Sequence, residues 1–271
     1  MIHHYTDLHA AISITTNSQI WLTDYRFLND KEEYTTGYEV VLKALENYHD
    51  AEGIYPKEFM DDIGQSLDFI RDEKFKILKR NNIFVSSFSA TPDLLGQWRN
   101  YGKYCLELDE ALFRDEDVVI LQCHYLHDAG DAQDYATMLI NDVIFPRSLE
   151  IWERDRTWLT LELSLLIDIY ALSFKHEAFH DENEIRFVIS CNIDDERISF
   201  RCRGNILIPY IPVLFDPHLL KSISIGPINN QELACESLQM FADKTSKKVS
   251  HATKRNYELE VNYSDLPYRD I

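Results

Sequence analysis

A histidine, a pair of serines and a pair of glutamates stand where strands begin or end in this chain, each with aromatic neighbours. His4 lies in Ile2-His3-His4-Tyr5-Thr6, and Ser87 and Ser89 flank Phe88 in Val85-Ser86-Ser87-Phe88-Ser89. Glu182 and Glu184 lead into Ile185-Arg186-Phe187-Val188-Ile189. Core packing does not call for polar groups at such places, so the pattern is that of a ligand site. Alternate residues of a strand face one side, so Ser87 and Ser89 offer two hydroxyls on one face while Phe88 points to the other. Beside a helix start, such a pair can hold a ribose or a phosphate. The same alternation puts Glu182 and Glu184 on a shared side, with Arg186 within reach of either. His4 can serve as a neutral hydrogen-bonding group, which requires no shifted pKa.

Aromatic residues accompany these groups. Tyr25 follows Ile20-Trp21-Leu22-Thr23-Asp24 and is placed to stack on a flat ring. In Gln97-Trp98-Arg99-Asn100-Tyr101-Gly102, Trp98 and Tyr101 stand three apart on a helix. Trp98 reads as packing, and Arg99 as turned toward solvent or a phosphate. Asn29 and Asp30 carry turn and cap chemistry. Neither serine sits in a G-x-S-x-G elbow, so a hydrolase nucleophile is not expected. His176 and His180, with Glu177 and Asp181, lack an H-E-x-x-H frame and a nearby cysteine pair, so no metal is expected. The acidic stretch 109–117 reads as a solvated loop, not as the carboxylate cluster of a nuclease.

These side chains need elements to hold them. A short strand at 2–5 is followed by a helix to about residue 15, with Thr6 as its cap and Leu8, Ala11 and Ile12 inward. A strand over 20–23 comes next. Asp30 with Glu33 resembles a capping box, opening a helix with Tyr34, Tyr38, Val41, Leu45 and Tyr48 on one stripe. Pro56 starts another, with Phe59, Ile63, Leu67 and Ile70 on one side. These two helices form an insertion at about 30–80 in a single domain of 1–271. A strand over 83–88 follows. Thr91-Pro92 reads as a helix start. Strands are expected at 104–108 and 118–125, and helices at 131–145 and 152–176. The tail is strand-rich (185–191, 198–202, about 206–215, 222–225 and 257–261), with a helix from about 230 to 243. Gly226-Pro227 marks the turn before that helix. No G-x-G-x-x-G and no P-loop occurs, and βαβ spacing is absent. The expected class is α+β, a mixed split sheet surrounded by helices.

Composition narrows the partners. The 271 residues carry 46 acidic and 27 basic side chains, a formal charge of −19. Such a field opposes tight binding of duplex nucleic acid and of anionic membranes. One basic stretch, Lys244 to Arg255, reads as a solvated loop or helix end, with contact to an anionic partner as the alternative. Five cysteines without a C-x-x-C pattern read as thiols in a reducing cytoplasm. The N-terminus is too polar for a signal peptide. The apolar run from Trp158 to Phe174 is short of a bilayer span and contains Glu162 and Asp168, so a buried helix is expected.

Taken together, the blocks resemble the bacterial domain-of-unknown-function family 2971. The matching segments are His4-Tyr5-Thr6, Ile20 to Thr23 with Leu28-Asn29-Asp30, Val85 to Ser89 and Gln97 to Gly102. Phe174-Lys175-His176, Glu182 to Arg186, Ile225-Gly226-Pro227 and Ser264 to Arg269 follow in family order. The chain departs from the family at Gly102-Lys103-Tyr104-Cys105, where members often have more residues and a second glycine. The order of a His-x-Thr strand, a Ser-x-Ser strand and a late glutamate entering a strand also looks like the ADP-ribosyltransferase superfamily.

That resemblance implies a sheet that pinches NAD, used as a substrate. His4 would bond the ribose or the amide with Thr6 in support, and Tyr25 would stack on nicotinamide. Ser87, Ser89, Arg99 and Tyr101 would complete the binding set. Glu184 would be the catalytic group, stabilising the positive charge that builds as nicotinamide leaves. The implied partners are a nucleotide and a protein acceptor, or water, and the implied setting is bacterial stress or antiphage defence. The alternative is a non-enzymatic protein-binding or regulatory module.

Overall fold

The structure is a computed structural model, and it describes residues 1–28, 31–72, 81–113 and 118–266. In chain order the strands are β1 (Ile2–Thr6), β2 (Gln19–Asp24), β3 (Asn81–Ser89), β4 (Tyr104–Leu108), β5 (Val119–Gln122) and β6 (His124–Leu126). They continue as β7 (Phe174–His176), β8 (Glu184–Asn192), β9 (Ser199–Arg203), β10 (Ile206–Leu214), β11 (Leu220–Ile225) and β12 (Glu260–Tyr263). The helices are α1 (Leu8–Asn17), α2 (Lys31–Glu46), α3 (Lys57–Arg71), α4 (Leu95–Asn100), α5 (Ala129–Leu139), α6 (Phe145–Arg154), α7 (Leu159–Ala171) and α8 (Gln231–Thr253). This is a mixed α+β fold. Ten strands form a central sheet along β12-β11-β4-β1-β3-β2-β10-β9, with β8 on β3 and β5 on β8, and β6 and β7 pair separately.

The sheet is irregular where it matters. β8 pairs with β3 along its whole length, from Asn81 opposite Asn192 to Ser89 opposite Glu184. That occupies one edge of β3. β2 and β1 therefore share the other edge, β2 at Phe84 and Val85 and β1 at Ser89. Residues 86–88 lie between these two attachments, where β1 and β2 diverge.

Helices cover the sheet. Ile2, Leu22, Phe84, Phe187, Ile223 and Leu238 belong to the core between the sheet and α1 and α8. On the opposite face, Ile83, Val85 and Val188 meet Ile169 and Leu172 at the end of α7. A second, helical core joins α2 and α3 to α5, α6 and α7. In α3 the stripe Phe59, Ile63, Leu67 and Ile70 is buried as its spacing requires. Gly37 lets α2 approach α7 closely, since a Cβ there would overlap the Ala171 carbonyl. That approach brings Glu33, one turn earlier, to Arg186.

Several elements differ from the sequence expectation. Asp7, not Thr6, caps α1, its carboxylate accepting from the Ala10 N–H at 2.8 Å. Leu8 is exposed, and Ala11 and Thr15 take the inward positions. Thr91-Pro92 does not open a helix. Ser89 Oγ takes the Thr91 N–H at 3.0 Å, Asp93 adopts φ 53, and α4 begins at Leu95. The expected strand 118–125 breaks into β5 and β6 at Cys123, whose N–H donates to the Glu184 carbonyl. The expected helix 152–176 is interrupted at Asp155 and ends at Ala171, so 174–176 forms β7. The expected helix 230–243 runs on to Thr253. The Asp30 half of the capping box lies outside the described residues. Among the described residues, no helix is long and apolar enough to cross a membrane.

Candidate functional site

The divergence of β1 and β2 opens a cavity of about 1040 Å³ whose floor is β3 and the start of β8. His4, Thr6, Tyr25, Ser87, Ser89, Tyr101 and Glu184 all line it, brought from five separate elements or turns. Arg99 does not line it and is exposed, because α4 directs Trp98 into the core and Arg99 away. Asn29, Asp30 and Arg269 lie outside the described residues.

His4 is half-buried at the point of divergence. Its Nδ1 donates to the Ser87 carbonyl at 3.1 Å, and its ring packs on Phe88 at 5.1 Å between centroids. Burial lowers its pKa, the Ser87 carbonyl acting weakly the other way. A neutral ring with a proton on Nδ1 leaves Nε2 as an acceptor. Ser87 is exposed at the same place. Ser89 is not equivalent to it. Its buried hydroxyl stands 2.7 Å from the Glu182 carbonyl and 2.9 Å from that of Thr91. Ser89 therefore ties the end of β3 to the turn carrying Glu182 and Glu184. Thr6 ends β1, and Gly102, at φ 143, packs so closely on the Thr6 carbonyl that a side chain would not fit. This contact holds Tyr101 at the cleft wall. The Tyr101 hydroxyl points at Glu182 Oε1, 3.5 Å away, and burial with the Glu182 charge pushes its pKa up to about 12. Tyr25 rests on Tyr34, 4.5 Å between ring centroids, and Tyr34 donates to Asp168 at 2.7 Å.

At the floor lies a buried charge cluster. Lys175 Nζ contacts Glu184 Oε2 and lies 2.5 Å from Glu182 Oε2. Arg186 grips Glu184 through Nε at 2.9 Å and Nη2 at 3.1 Å, and Nη2 also bonds Glu33 at 2.8 Å. Arg186 Nη1 donates to the Leu172 carbonyl at 2.8 Å. Asn183, at φ 43, separates the two glutamates, yet both carboxylates converge on Lys175. Burial alone would raise the Glu184 pKa, but Arg186 and Lys175 outweigh it and hold the carboxyl near 2. Burial also opposes the charge on Lys175, which Glu184 and Glu182 nevertheless hold above its usual range. Glu33 is the contrasting member, since burial raises its pKa against the pull of Arg186. With three carboxylates and two cations, Glu33 is where the excess negative charge is least compensated.

No family model, curated protein or solved structure matches this chain.

Sequence reading missed the scale of this cluster. Lys175 falls in the expected helix 152–176; β7 instead carries it, buried, to the cleft floor. Glu33 carries no sign of its partner, since Arg186 is 153 positions away. The signal that could have found it is a lysine placed directly after the apolar run that ends at Phe174, seven and nine positions before the two glutamates. Among the described residues, no set of three or more His, Cys, Asp or Glu side chains is placed to hold a metal ion. The basic stretch lies along α8 and its end, and none of its residues lines the cleft. The five cysteines are free thiols.

Proposed function

We propose that this chain binds NAD in the cleft and cleaves its nicotinamide–ribose bond, as an ADP-ribosyltransferase-like member of domain family 2971. The observation that carries the reading is the convergence of His4, Ser87, Tyr101 and Glu184, far apart in sequence, on one cleft at the divergence of β1 and β2. The pinch in the sheet is then the NAD seat. His4 Nε2 accepts from a ribose hydroxyl, and Tyr25, backed by Tyr34, gives the nicotinamide a flat surface. Glu184 remains ionised throughout the neutral range. Lys175 and Arg186 fix both its oxygens, so its orientation costs nothing at the moment of reaction.

As the bond between nicotinamide and the anomeric carbon breaks, its electron pair leaves with neutral nicotinamide. The ribosyl carbon becomes positive, and Glu184 stabilises that charge. The acceptor then adds to the anomeric carbon and loses its proton. The acceptor class is a protein, a short single strand or water, because a charge of −19 opposes tight duplex binding. A reducing cytoplasm suits the free thiols.

One observation favours a second reading, a non-enzymatic binding module: both Glu184 oxygens are already engaged by cations. Labelled NAD decides between them. The wild-type protein should release free nicotinamide or label an acceptor from lysate, and Glu184→Gln should reduce turnover by about 10²–10³-fold. No nicotinamide release, with or without lysate, would favour the module.

A further inference from the structure

The far end of the cleft from Glu184 has the opposite charge. β2, β10 and β9 lie side by side there, with Pro212 opposite Trp21, Tyr210 opposite Thr23 and Ile208 opposite Arg201. Trp21 and Tyr210 stack at 4.4 Å between centroids. The Arg201 guanidinium lies over both rings, 5.3 Å from Trp21 and 5.9 Å from Tyr210, and donates to Thr23 Oγ1 at 3.0 Å. Arg203 follows two residues along the same strand, hence on the same face. Both arginines and Trp21 line the cleft.

Among the described residues, neither arginine has a carboxylate partner, although the chain carries 46 acidic residues. Burial and the neighbouring Arg203 both work against the charge on Arg201. Arg201, held on an aromatic platform with Arg203 on the same strand face at the exposed rim of the cleft, leaves guanidinium donors there with no carboxylate supplied by the fold. Planar guanidinium groups match phosphate oxygens, and an exposed indole face matches a base.

We infer that Trp21, Arg201 and Arg203 form the subsite for the base and phosphates of a nucleoside diphosphate. The cleft is then polarised, its arginine end holding the diphosphate while its glutamate end meets the electron-poor ribose. This assignment rests on the NAD reading for the identity of the whole ligand, but the subsite can be tested without turnover.

The test is calorimetric titration of the full chain with ADP, adenosine and pyrophosphate. Wild-type protein should bind ADP more tightly than adenosine, with an affinity that falls as salt rises. The Arg201→Gln/Arg203→Gln double variant should lose roughly tenfold or more in ADP affinity and leave adenosine unchanged. Trp21→Ala should weaken adenosine and ADP alike. Unchanged melting temperatures would exclude misfolding, and Arg203→Gln alone, at an exposed strand position, provides a variant whose folding is not in question. Absence of ADP binding by the wild type, or equal ADP affinity in the wild type and the arginine variants, would overturn the subsite. ADP binding without nicotinamide release would overturn the cleavage reading and leave the subsite standing. Nicotinamide release that is undiminished in the double variant at limiting NAD would do the reverse.

Discussion

Two ion-pair clusters in this protein have nearly the same contact lengths and very different surroundings. At the cleft floor, Lys175, Glu182, Glu184 and Arg186 meet with side chains no more than 10% exposed. Near the C-terminal helix, Asp216 meets Arg255 at 2.5 Å and His218 at 2.8 Å, but Asp216 is 42% and Arg255 57% exposed. Both depress a carboxyl pKa, Glu184 through Arg186 and Lys175 against burial, Asp216 mainly through its bond to Arg255. Distance therefore does not rank them. Water screens the outer pair and can replace either partner, whereas the inner charges have only one another. Such an inner cluster stabilises little in total, yet removing one member strands the others. It fixes a geometry, which is what a site needs and a surface does not.

The comparison is broken most directly by taking one cation from each cluster. Lys175→Met leaves two buried carboxylates short of a partner, and should cost about 3–5 kcal/mol in urea unfolding. A loss below about 1 kcal/mol would mean that water reaches the floor and that the two clusters are alike.

Acid sharpens the contrast. The folded pKa of Glu184, near 2, lies below its unfolded value, so its stabilisation is complete above about pH 5 and is lost as pH falls toward 2. Glu33 has the opposite sign, its raised pKa meaning that protonation relieves the folded state first. Stability followed by thermal melting should thus decline below about pH 4, by about 1–3 kcal/mol from Glu184. Glu184→Gln should flatten that decline. An unchanged pH profile in the variant would remove the floor cluster as its source.

The smallest effect belongs to the outer pair. Arg255→Ala should change stability by less than about 1 kcal/mol, and the difference should fade in about 1 M salt. Persistence of the effect at high salt would show that the outer pair behaves like a buried one.

Much of the framework was legible from local pattern. Phe59, Ile63, Leu67 and Ile70 repeat at helical spacing, and all four are buried in α3. The strand carrying Ser87 and Ser89 and the one opened by Glu184 are observed as expected. Where local signals competed with tertiary bonds, they lost. Thr91 has the side chain of a cap, but its N–H serves Ser89 and its hydroxyl accepts from Asn183 at 3.3 Å. The Ser- and Lys-rich stretch after residue 243 reads as a loop or helix end; it continues the helix, and Ser246 and Ser250 bond the returning chain at Leu259 and Tyr257. Those bonds keep α8 helical to Thr253.

The sequence by itself determined the α+β class, the strongly periodic helices and several of the strands, the acidic balance and the short list of polar residues at strand ends. Those depend on periodicity, charge and composition, which are local or additive. Only the tertiary structure decided which of those residues share a cleft, that Ser89 braces a turn while Ser87 faces the opening, and that Arg99 stands outside. It also decided that Glu184 is held between Lys175 and Arg186 with Glu33 behind. Strand pairing joins residues nearly a hundred positions apart, as Ser89 opposite Glu184 shows, and helix packing at Gly37 brings Glu33 to Arg186. Burial, which gives those charges their weight, is a property of that assembly and of no single segment.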